Sequence, residues 1–70
     1  MKETEDAVVG IVQDAGPDGI IVRDLVAALP SYSQVRVLLG LAGAMLDGRV
    51  VYLGEWVTEE LVLNARVKAR

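Results

Sequence analysis

The sequence predicts a mainly α-helical domain with one small β-hairpin, and three observations predict it. Val8, Ile11, Val12 and Ala15 recur at helical spacing and form one apolar stripe. The run from Val37 to Leu46 is uncharged, apolar and free of proline, and Gly48 follows it where a helix would stop. Arg49-Val50-Val51-Tyr52 and Glu55-Trp56-Val57 are β-rich and flank Leu53-Gly54, the spacing of a tight hairpin.

The first helix is expected over Thr4–Ala15, capped by Thr4, with Glu5 and Asp6 in the first turn where the helix dipole favours acids. Gly16-Pro17-Asp18-Gly19 is a turn, because proline fixes φ and glycine permits its positive values. Ile20-Ile21-Val22 is short and β-branched, so it reads as a strand. A second helix starts at Arg23 or Asp24 and runs to Leu29, with Leu25, Val26 and Leu29 inward and Pro30 ending it. Ser31-Tyr32-Ser33 then makes the turn. Ser31 with Gln34 matches a capping box and Ser33 is the alternative cap of the third helix, which continues to Asp47 with Gly48 at its C′ position.

In the expected hairpin Val51 faces Trp56, while Val50 pairs with Val57 on the opposite face. Thr58-Glu59-Glu60 opens a last helix that ends in Arg66, Lys68 and Arg70. Its apolar residues fall on two sides: Leu61, Ala65 and Ala69 on one, Leu63 and Val67 on the other. The order helix, strand, helix, helix, hairpin, helix is that of a winged helix-turn-helix, filling residues 1–70 as one domain.

Composition narrows the function. A chain of 70 residues without cysteine or histidine has neither disulfides nor the usual zinc ligands to staple it. Its 53% hydrophobic content and mean hydropathy of +0.40 exceed those of ordinary domains, as when some apolar surface serves an interface. The net charge of −3 argues against tight non-specific binding of nucleic acid. The N-terminal run carries acids where a signal peptide carries bases, and the longest apolar stretch is too short to span a bilayer, so a cytoplasmic protein is expected.

No catalytic or cofactor chemistry is expected. The absence of histidine and cysteine removes the common general base, nucleophile and metal ligands. Ser31 and Ser33 are explained as helix caps, and Gly40-Leu41-Ala42-Gly43 lies within a helix, without the turn and lysine of a phosphate loop. Two readings stay open. In the leading one the chain binds another protein or itself, through Val51 and Trp56 on the hairpin and Leu63 and Val67 on the last helix, with Gly40 and Gly43 as a second face. A homodimer would use the last helix. In the alternative, the third helix reads DNA with Ser33, Gln34 and Arg36 while Arg23 and Arg49 hold phosphates. Against DNA, the narrow polar face of that helix offers Arg36, Gly40, Gly43 and Asp47, and Asp24, Asp47 and Glu55 stand near the arginines.

Within the winged helices the chain resembles the DsrD family, small accessory proteins of dissimilatory sulfite reduction. The likeness rests on Val8-Val9, the segment DLVAALP ending in Pro30, Gln34, Val37 and the run DGRVVY from Asp47. It leaves out the C-terminal segment, and this chain is much poorer in lysine than the family. The resemblance implies a non-catalytic protein that binds and stimulates a larger reductase.

Overall fold

The computed structural model describes residues 2–70. Helix α1 spans Lys2–Asp14, strand β1 Ile20–Ile21, helix α2 Val22–Ala27 and helix α3 Gln34–Leu46. Strand β2 follows at Val50–Leu53, a short helix α4 at Glu59–Leu63, and strand β3 at Arg66–Ala69. The described residues form a mixed α/β fold: four helices and one three-stranded antiparallel sheet in the order β1-β3-β2.

The last third of the chain departs from the expected hairpin and helix. The partner of β2 is not Glu55–Val57 but β3, with Val50 opposite Ala69, Val51 opposite Lys68 and Tyr52 opposite Val67. The last helix stops at Leu63 instead of running to Arg70. Period-two alternation explains the change: Val67 is fully buried while Arg66 points outward. As the central strand, β3 also pairs with Ile20 and Ile21, whose backbone groups would otherwise lack a ladder. Glu55-Trp56-Val57 instead belongs to the connection. Tyr52 donates its hydroxyl to the Glu55 carbonyl at 2.7 Å, and its ring stacks on Trp56 with centroids 4.4 Å apart. A Cβ on Gly54 would lie 2.4 Å from the Ala65 Cβ, so only glycine passes there.

Smaller differences lie at element ends. Thr4 is not a cap: α1 begins at Lys2 and buries Thr4 completely against α3. Val22 starts α2 rather than ending β1, and its N–H donates to the Ala65 carbonyl at 2.9 Å. Helix α2 ends at Ala27, short of Leu29. Ser33, not Ser31, caps α3 by accepting from the Arg36 N–H, which leaves Gln34 free to reach Glu59. Two expectations hold: Gly48 ends α3 with φ of 71°, and Thr58 caps α4.

The core lies between α1, α2, α3 and the inner face of the sheet. Val8, Val9 and Val12 of α1 meet Val37, Leu41 and Ala44 of α3, with Val22, Leu25, Val50, Val62, Ala65 and Val67 closing it. These side chains are aliphatic and mostly β-branched, so the aromatic residues Tyr52 and Trp56 are left to the periphery.

Candidate interaction surface

Helix α3 divides into two apolar faces. Val37, Gly40, Leu41 and Ala44 face the core. Val35, Leu39 and Leu46 lie on the opposite side at 65%, 51% and 89% exposure. With the half-buried Ala42 they fall at i, i+4, i+7 and i+11, so they form one continuous ridge. Three exposed leucines and valines in line on one helix face are more than the scattered apolar residues of an ordinary surface. The sequence reading missed this ridge because it treated the helix as one apolar unit and sought a polar face on it.

A second apolar surface lies around the connection between β2 and α4. Leu53, Trp56, Val57 and Leu61 are all exposed there, and Val51 stands on the outward face of the sheet. Of the expected contact residues, Val51 and Trp56 are therefore available to a partner. Val67 is not: it is fully buried in the central strand. Leu63 is half-buried against the core, and the long last helix expected to carry a dimer does not form.

Gly40 and Gly43 are also covered. A Cβ on Gly40 would meet the Thr4 side chain at 3.0 Å and its backbone at 3.1 Å, so these glycines let α1 cross close to α3. At Gly43 the neighbour is the Glu5 carboxylate, at 2.7 Å.

The residues expected to contact DNA have partners within the chain, most of them at the surface. Arg49 donates to Asp6 and, at 2.9 Å, to Glu5, which is nearly buried. Hydrogen bonds to Asp6 and then Glu5 raise its pKa further, so this cation is committed to joining α1 to the start of β2. Arg23 donates to Asn64 at 3.4 Å, and Gln34 donates to Glu59 at 3.1 Å. Arg36 lies 5.5 Å over the Tyr32 ring and donates to the Thr4 hydroxyl at 3.4 Å. Ser33 spends its hydroxyl on the helix cap. Each of these five residues thus has a partner within the chain, and Arg49 alone is held by short ion pairs.

Tyr52 is the other perturbed group. Burial first, and the charge of Glu55 second, raise its pKa above the ordinary tyrosine value. Its neutral hydroxyl keeps the β2 end of the connection closed. No cluster of metal-ligating side chains and no helix long and apolar enough to cross a membrane occurs among the described residues. Comparison of the chain with protein-family models, with curated proteins and with solved structures gives no match.

Proposed function

We propose that this chain is a non-enzymatic winged-helix module that acts by binding protein rather than DNA. The helix-turn-helix of α2 and α3, followed by β2 and β3 on either side of a connection that carries α4, supports the winged-helix assignment, with the β2–α4 segment as the wing. In such a fold α3 is the helix that enters the major groove. The observation that carries the protein-binding reading is the apolar ridge on this helix, Val35, Leu39 and Leu46, where a groove reader presents polar side chains to base edges. The engagement of Arg49 by Glu5 and Asp6 supports it further, since phosphate contacts dominate DNA affinity. Stimulation of a larger enzyme, as the DsrD resemblance implies, is one form this activity takes.

Titration of labelled duplex DNA at low ionic strength tests the reading. The expected result is no salt-sensitive binding. Binding that falls steeply with salt and disappears in Arg36→Ala overturns it in favour of a DNA-binding regulator.

A further inference from the structure

The ridge on α3 has the form of a seam between two copies of the same helix. Its residues, Val35, Leu39, Ala42 and Leu46, are spaced by four, three and four, the alternation that keeps one apolar line facing a neighbouring helix. We propose that the ridge is the two-fold interface of a homodimer in which α3 packs antiparallel against α3 of a second copy. The proposal rests on the protein-binding reading above and names the partner.

Self-complementarity is the first argument. A two-fold axis passing between Gly40 and Leu41 sets Val35 opposite Leu46 of the second copy and Leu39 opposite its Ala42. At the centre a large side chain meets a small one, which lets the helix axes approach. The two exposed ends, at 65% and 89%, cover each other.

Charge is the second argument, and it selects the direction. On the helix surface Arg36 and Asp47 lie on the same flank of the ridge, eleven positions apart. In an antiparallel pair each flank meets its own reversed image, so Arg36 comes beside Asp47 of the second copy, twice over. A parallel pair would bring the opposite flank, with Leu38 and Met45, against Arg36 and leave both charges unmatched. Both are also placed against the helix dipole, a cation in the first turn of α3 and an anion at its C-cap. Among the described residues neither has a tight partner: the Arg36 bond to Thr4 is 3.4 Å long, and Asp47 reaches the exposed Lys2 at 3.7 Å. A seam of about 16 Å is short, so the dimer belongs to the weak class of association.

Analytical ultracentrifugation of the full chain from roughly 5 to 500 µM, the range in which a micromolar dimer dissociates, is the test. The expected result is a concentration-dependent monomer–dimer equilibrium. Leu39→Glu and Leu46→Gln each give monomer throughout with an unchanged circular dichroism spectrum, and Leu46 is so exposed that its replacement leaves the fold alone. Arg36→Glu and Asp47→Arg each weaken the dimer by about fivefold or more, and the double variant restores it. A wild-type chain that stays monomeric overturns the second copy as partner while leaving the protein-binding reading intact. A dimer indifferent to Leu39→Glu, or charge variants without mutual rescue, overturns this seam. Salt-sensitive DNA binding abolished by Leu39→Glu overturns both readings together.

Discussion

The two faces of α3 are nearly alike in composition and opposite in fate. Val37, Leu41 and Ala44 are fully buried, whereas Val35 and Leu46 are mostly exposed on the same helix. What separates them is a neighbour. The N-terminal turns of α1 cross the inner face where Gly40 removes a side chain from their path. Among the described residues no element crosses the outer face. Hydrophobicity is thus common to both faces, and packing against α1 is what buries the inner one.

The sharpest way to break this comparison is to truncate one leucine on each face. Leu41→Ala removes buried methyl groups from the core and should cost about 2–5 kcal/mol in urea unfolding. Leu39→Ala, measured at dilute protein where the monomer prevails, should stay within about 0.5 kcal/mol, as for surface changes away from packed features. Equal losses at the two positions would mean that the outer face is packed after all.

The crossing itself can be probed through its glycines. Alanine gains about 1 kcal/mol of helix propensity at either position. At Gly40 the new Cβ meets the Thr4 and Glu5 backbone within 3.2 Å, so α1 must shift and a net loss of about 1–2 kcal/mol is expected. At Gly43 the obstacle is the end of the Glu5 side chain, which can swing aside, so Gly43→Ala should be close to neutral. Thermal unfolding of the two variants side by side checks the order.

The ion cluster that fastens α1 gives a smaller effect with a definite ranking. Arg49→Met leaves the nearly buried Glu5 carboxylate without its short ion pair, with the exposed Lys2 at 3.7 Å as its cation among the described residues. Asp6→Asn removes an exposed partner and leaves Arg49 on Glu5. The Arg49 variant should therefore lower the unfolding midpoint more than the Asp6 variant, and the reverse order would show that α1 is held by its apolar contacts alone.

Tyr52 contributes the smallest expected effect, at alkaline pH. Because folding raises its pKa, its contribution is complete below about 10, the ordinary tyrosine value, and is lost as pH rises through the higher folded value. Tyrosinate absorbance should show a late-ionising component that vanishes in Tyr52→Phe. If the component survives that substitution, the Tyr52–Glu55 closure does not hold in solution.

Much of the first two thirds of the fold was legible in the chain, since its signals are local. The apolar period of α1, the turn at Gly16–Gly19, the serine cap of α3 and the glycine after it each depend on a few neighbouring residues. The last third is not legible in the same way, because its partners are distant in sequence. Glu55-Trp56-Val57 has strand-like composition, yet Tyr52 takes the Glu55 carbonyl and stacks on Trp56. Arg66–Ala69 resembles the charged end of a helix, yet Ile20 and Ile21 need a strand beside them.

The interaction surface followed the same division. The expected hairpin register turns Val51 and Trp56 outward; both are exposed, but Trp56 is so in the connection after β2, because that hairpin does not form. Val67, Gly40 and Gly43 were assigned to the surface because nothing near them in sequence reveals that β1, β2 and α1 cover them.

By itself the sequence determined the helices α1 and α3, the turns between the early elements and the surplus of apolar surface, because backbone propensity, caps and periodicity act over a few residues. The tertiary structure alone decided which face of α3 is core, that β3 replaces the end of a helix, and that Arg49 is spent on Glu5 and Asp6. Those choices depend on which distant groups meet, through backbone hydrogen bonds that must be satisfied and charges that must be paired, and no local pattern encodes them.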